Sequence, residues 1–447
     1  MVGESTYTYG SRPGFTIPRR ALVPRLEVLL PGPNGSTNHA TRGLWRRDLV
    51  AILVMMAFFP AALSMSQTLV PLWMASLRFE KATVGLIQAT PALMGVFLGP
   101  PLARLATGGY RRETLVGLFV VSALACWLMS RATTAAALVV PQMMFGLATA
   151  AFWSNGLAAS FGLGDGSRQD AIQGWVTAAQ AIGFCGGPLL GGYLSMRSFP
   201  AAFWSGAVCA VIGALAAAAM VRRPAIEPSP GVGRAVAESY QRFWRVVSQR
   251  PRVRVGSVFV GLCAFLLFVM GGSFFLVYLE GLGWTSLAAA SLIAGREAMG
   301  GLVRLGYGPA TRRLGPVTLL GGGAILAAVA LALTPLATSG WPLVAIALAV
   351  GIGLGFMSPA ANVLAGASAV PEEQAFGIVT TNVANSGAQL LLAPLLGWWL
   401  GGSSYGVVYP AIAVVWIGLV WWAMRWGWRI EPPPRAQRSE PDAGPTG

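Results

Sequence analysis

Long apolar runs recur from Leu49 almost to the C-terminus, each long enough to cross a lipid bilayer. A hydrocarbon core about 30 Å thick needs roughly 20 helical residues at 1.5 Å rise each. No water reaches the backbone there, so each segment must satisfy its own amides and the runs must be helices. The alternating pattern of an outer-membrane barrel is missing. Composition agrees: 55% of the 447 residues are hydrophobic and 11% charged, with mean hydropathy +0.62. A soluble domain of this size needs far more charge to wet its surface. The expected fold class is all-α integral membrane, with twelve transmembrane helices.

The pattern predicts helices over 49–75, 83–106, 113–130, 134–160, 171–195 and 200–221, then 255–279, 285–306, 317–337, 341–366, 374–399 and 405–427. Residues 1–47 are polar, rich in Pro, Gly and Arg, and lack the apolar stretch of a secretory signal, so a disordered cytoplasmic tail is expected. A bundle of six helices over 48–221 and a second over 255–427 flank a cytoplasmic linker, 222–254, and residues 428–447 form a second cytoplasmic tail. The linker carries Arg222, Arg223, Arg234, Arg242, Arg245, Arg250, Arg252 and Arg254, and Val236 to Val247 is predicted as a short surface helix.

The net charge of +15 rests on arginine, Lys81 being the single lysine among 31 basic residues. These charges fall in alternate loops. Arg46/Arg47, Arg111/Arg112, the linker, Arg312/Arg313 and Arg425/Arg429 share one side, while the other keeps Arg78, Lys81, Arg131 and Arg197. Such asymmetry sets membrane topology, placing both termini in the cytoplasm of a multi-pass plasma-membrane protein, and it argues against a nucleic-acid partner. Cys126, Cys185, Cys209 and Cys263 all lie in apolar segments without ligand spacing, and the one histidine, His39, lies in the tail. No metal site, cofactor or His-based triad is therefore expected. The absence of a GxxxxGK[ST] phosphate loop argues against direct drive by ATP, and no activated nucleophile points to an enzyme.

The two halves echo each other. Pro188-Leu-Leu-Gly191-Gly192-Tyr-Leu194 in the fifth predicted helix returns as Pro394-Leu-Leu-Gly397-Trp-Trp-Leu400 in the eleventh, at an offset of 206 residues. The segment Gly99–Arg112 after the second helix is echoed around Gly308–Gly315 after the eighth. Two pseudo-symmetric six-helix bundles follow from this duplication.

At these residues the chain resembles the major facilitator superfamily, over about residues 48–427. Gly183-Phe-Cys-Gly-Gly187-Pro188-Leu-Leu-Gly191-Gly192 is similar to the family's fifth-helix GxxxGPxxGG pattern, which is associated with proton-antiporting exporters. Glycines four apart admit close helix contact, and Pro188 removes a backbone hydrogen bond and permits a bend. The segment Gly99 to Arg112 resembles the family's cytoplasmic latch, GxLADRxGRR, with Arg104, Arg111 and Arg112 in place. Thr107 stands where the family has Asp and Gly108 where it has Arg; in the second copy Arg312, followed by Arg313, takes the acidic position. A latch without its acids implies a weaker cytoplasmic gate. Gln142-Met-Met-Phe-Gly146 resembles the fourth-helix RxxxG segment, with Gln142 replacing the arginine implicated in proton coupling.

Ionisable residues inside spans cost about 2.5–3.5 kcal/mol each at a helix centre on insertion scales, so they mark function. The eighth helix holds the clear pair, Arg296 and Glu297. Adjacent residues point about 100° apart and need not pair with each other. Glu297 is the candidate coupling carboxylate, and Arg296 a substrate or proton site; the alternative is an ion pair that fastens this helix to another. The resemblance adds cavity-lining candidates Gln67, Gln142, Trp153, Asn155, Gln180, Tyr278, Asn362 and Asn385. It implies a monomeric secondary active transporter, working by alternating access, that moves a small molecule with a proton co- or counter-transported. Export of a neutral, amphipathic or weakly charged compound is the first expectation. Uptake by symport, facilitated uniport, and a non-transporting receptor or assembly factor are the alternatives.

Overall fold

The computed structural model describes residues 39–107, 111–161, 163, 167–220, 232–271, 273–366 and 374–430, and every regular element among them is helical. In the first half run α1 (His39–Ser76), α2 (Lys81–Thr107), α3 (Arg111–Met129), α4 (Ala135–Phe161), α5 (Ser167–Ser195) and α6 (Phe199–Ala219). A connecting helix, α7 (Val232–Gln249), leads to the second half: α8 (Pro251–Gly271), α9 (Phe274–Gly281), α10 (Ser286–Leu305), α11 (Tyr307–Leu314), α12 (Pro316–Leu333), α13 (Gly340–Gly366), α14 (Gln374–Gly402) and α15 (Tyr405–Ile430).

Packing repeats between the halves. Helix α2 packs on α4, and α3 packs on α4 and α6; likewise α10 packs on α13, and α12 packs on α13 and α15. The halves meet through α2 against α14 and through α5 against α10, two contacts that are images of each other under the same correspondence. In the first half Phe59 stacks on Phe152 at 4.0 Å between centroids and meets Phe119 edge-on at 5.7 Å, filling the space among α1, α3 and α4. Such aromatic pairs contribute about 0.5–1.5 kcal/mol beyond the area they bury.

Nine helical segments among the described residues are long and apolar enough to cross a membrane. Helices α5, α10 and α14 fall outside that set although they run 29, 20 and 29 residues. They carry more polar side chains, and all three belong to the contacts between halves. A helix screened from lipid by protein on two sides can hold groups that hydrocarbon would reject.

Several boundaries depart from the sequence expectation. Helix α1 starts at His39, inside the stretch expected as a disordered tail, while residues 1–38 lie outside the described residues. The linker helix α7 starts a turn before Val236 and runs on to Gln249, because its apolar side continues past the expected limits. The seventh expected span is described as two helices, α8 ending at Gly271 and α9 starting at Phe274 after a bend at Ser273. The short α11, closed by Gly315 at φ 77°, occupies the connection between the expected helices 285–306 and 317–337.

Helix α7 touches both halves. Tyr240 donates its hydroxyl proton to the Phe97 carbonyl of α2, while Phe243 and Val246 are buried with Val253, Phe376 and Val379 of α8 and α14. At the other end of the same helix pair, Lys81 donates to the Leu400 carbonyl at 3.1 Å and lies 4.7 Å from the Tyr405 ring centre.

Candidate functional site

The fifth-helix glycines are seats for other helices. A Cβ at Gly183 would collide with the Ala57 carbonyl oxygen and one at Gly187 with that of Ala61, so α1 lies directly on α5. Gly191 continues the seat, its added Cβ falling 2.7 Å from Met65 Cγ. Gly192 turns to the second half, 2.5 Å from Ala290 Cβ of α10 by the same construction. Pro188 is buried between these seats. Gly146 of α4 is seated on Pro91 of α2, and Gln142, one turn earlier, is buried.

Arg296 and Glu297 are held on α10. Thr285 caps that helix, its hydroxyl accepting from the Ala288 amide. Gly351 and Gly355 of α13 pack on the backbone of Arg296 and Gly300, which fixes the helix at the depth of the charges. The two side chains pair with each other after all, Arg296 Nη2 donating to Glu297 Oε1 at 2.5 Å, since their length bridges the angle between their Cβ bonds. The ion pair thus lies within one helix and does not tie α10 to another through Glu297. Arg296 is 6% exposed and Glu297 17%. Nε and Nη1 of Arg296 are buried without a hydrogen-bond partner, and so is Nε of Arg304. Arg296, Gly300 and Arg304 share a helical face by their spacing of four residues, so the site has a second arginine.

Helix α5 brings a complementary surface. Trp175, Ile182 and Leu189 are exposed on its outer side. On the opposite side lie Gln180 and Phe184, both half-buried, and Trp153 of α4 stacks on Phe184 with centroids 6.2 Å apart and planes 9° from parallel. Gln180 Nε2 reaches Met56 Sδ of α1 at 3.4 Å. Cys185 lies within electrostatic reach of Glu297, Arg304 and Arg296. Phe184 was not among the sequence candidates: inside a glycine motif it reads as packing, and only its turn away from both Gly183 and Gly187 marks it.

The other candidates scatter. Gln67 is exposed although its neighbours from Ala62 to Leu72 on α1 are nearly all buried, so it faces an opening. Asn385 is half-buried on α14. Asn155 is fully buried, its amide donating to Ala151 O at 2.9 Å and to Leu102 O of α2 at 3.4 Å, which makes it a fastening between helices. Tyr278 donates towards the carbonyls of Thr334 and Ala337, each 3.3 Å away, and packs with Tyr405 and Tyr409. The side chains of Asn362, Arg104 and Thr107, and all of Gly108, lie outside the described residues. Arg112 donates to the Ala218 carbonyl at 2.5 Å, closing the end of α6; Arg111 is half-buried, and Arg312 and Arg313 are exposed at the end of α11.

Two duplicated helical halves, joined by glycine-seated contacts and enclosing a charged pair, define the architecture of a membrane carrier. The chain belongs to the Major Facilitator Superfamily, whose family profile matches residues 52–391. Its fold is shared with a mutant form of the nucleoside transporter NupG, at 11% identity and a TM-score of 0.65, over 85% of this chain and 98% of that one. The human organic anion transporter MFSD10 (TETRAN) is similar at 15% identity and a TM-score of 0.65, over 86% of this chain and 99% of that one. No curated protein sequence matches. Family and fold make this a multi-pass membrane transporter of the superfamily.

Proposed function

We propose that the protein is a secondary active carrier that moves a small amphipathic solute, neutral or weakly charged, by alternating access, with export in exchange for protons as the leading mode. Counting α5, α10 and α14 as crossings gives twelve, arranged as bundles over 48–221 and 255–427 around the linker 222–254. The arginine distribution supports both termini in the cytoplasm and a place in the plasma membrane, and a single chain contains both halves of the site.

The observation that carries this reading is the ion pair Arg296–Glu297, buried on a helix of the contact between halves. A carboxylate there can exchange its arginine for a proton as the halves rock, linking proton movement to exposure of the site. The fifth-helix glycine seats support export. Gln142 in the place of an arginine, and the latch lacking its acids, support facilitated uniport as the second reading.

The test is transport in proteoliposomes under an imposed pH gradient. Glu297→Gln is expected to abolish gradient-driven transport at normal membrane abundance, while gradient-independent exchange survives. Unchanged gradient-driven transport in Glu297→Gln removes this carboxylate from the mechanism.

A further inference from the structure

Helix α10 has a lipid side, marked by exposed Ser291, Ala298, Leu302 and Leu305, the last two 62% and 82% exposed. At about 100° per residue, Arg296, Glu297 and Arg304 fall on the opposite side, facing the bundle interior. Glu297 and Arg304 lie between the seat for α13 at Gly300 and the contact with α5 at Gly301, whose added Cβ would meet Ala181 at 3.4 Å, and Arg296 lies at the α13 edge of that face. The face holds two arginines and one carboxylate. Arg296 keeps Nε and Nη1 buried and unpartnered even after Nη2 has met Glu297. A buried guanidinium with unused donors is costly unless something accepts from it.

The register between α5 and α10 sets what else stands at that depth. Gly192 meets Ala290 and Ala181 meets Gly301, a spacing of 11 residues on both antiparallel helices. Phe184 is therefore level with Ala298, one to two residues from the ion pair. Its ring faces the interior and is backed by Trp153. A flat apolar wall thus stands at the depth of an unsatisfied guanidinium.

We infer that the cargo is a flat, aromatic monocarboxylate: its ring lies along Phe184 and Trp153, its two oxygens accept from Arg296, and Arg304 supplies the attraction that makes the face net positive. Guanidinium donors lie in one plane and match the two oxygens of a carboxylate. One net positive charge balances a monoanion; a dianion would leave an excess negative charge buried. This assignment rests on the carrier reading above and narrows its substrate class.

The probe is 1-naphthoate, with 1-naphthamide as its uncharged isostere and acetate as its ringless counterpart. Binding to the full-length protein in nanodiscs is measured by thermal shift and titration calorimetry. The inference expects naphthoate to bind at least tenfold more tightly than either comparison compound. Arg296→Gln should remove that preference, Arg296→Lys should weaken naphthoate about tenfold by keeping charge without the planar fork, and Phe184→Leu should weaken naphthoate but not acetate. Equal binding of naphthoate and naphthamide, binding of neither, or a preference unchanged in folded Arg296→Gln overturns the assignment. Proton-gradient-driven transport of an uncharged solute would overturn it too, while leaving the carrier reading intact.

Discussion

Gly397→Ala tests how tightly the two halves are seated on each other. A Cβ built at Gly397 of α14 falls 2.5 Å from the Lys81 carbonyl oxygen, 3.1 Å from Gly85 Cα and 3.2 Å from Ala82 Cα. All three are backbone atoms of α2, so no side chain can swing away. Restoring ordinary contact requires the helices to part by roughly 1 Å locally, and overpacking of this kind costs about 1–3 kcal/mol. Alanine is also the better helix former by about 1 kcal/mol, which acts in the opposite direction. Gly387 and Gly401, on the same helix, have nothing within 4 Å of an added Cβ, so alanine there keeps the propensity gain without the clash. Unfolding in mild detergent, followed by intrinsic tryptophan fluorescence, should place Gly397→Ala below wild type and Gly387→Ala and Gly401→Ala at or above it. If all three variants unfold at the same temperature, the close approach of α2 and α14 is refuted.

Two more outcomes follow from the site. Asn155→Leu should leave substrate affinity within twofold of wild type, measured by transport kinetics, because Asn155 fastens α4 to α2 and its Oδ1 is buried without a partner. Phe243→Ala should lower stability by about 3–5 kcal/mol, as for other large core truncations, though less if lipid or neighbouring side chains fill the space. The same variant should speed proteolysis between the halves, since Phe243 and Val246 anchor α7 on α14.

The helices were legible because runs near 20 apolar residues have one solution in lipid. The duplication was legible because Pro188–Leu194 and Pro394–Leu400 occupy matching contacts between halves. Short helices were not. Nothing in Tyr307–Leu314 distinguishes a helix of eight residues from a polar loop, and the break at Ser273 lies within one apolar run. The site was half legible. An ionisable residue in a span announces itself, which singled out Arg296 and Glu297. Their mutual pairing did not, because sequence fixes the direction of a Cβ bond but not the reach of a long side chain. The bond of Asn155 to α2 was hidden for a related reason: an amide that lines water and one that bonds a neighbouring helix look alike in sequence. Phe184 was hidden by the glycines around it.

Alternating access requires the two halves to move against each other for the cargo to cross. In a background lacking Cys126, Cys185, Cys209 and Cys263, cysteines at positions 81 of α2 and 400 of α14, which the Lys81 Nζ contact with the Leu400 carbonyl at 3.1 Å brings within reach of each other, are joined by a short disulfide-containing thiol cross-linker. Cross-linking that pair should stop transport in proteoliposomes, and reduction should restore it. Transport at the wild-type rate with the bridge intact would show that the cargo crosses without the halves parting.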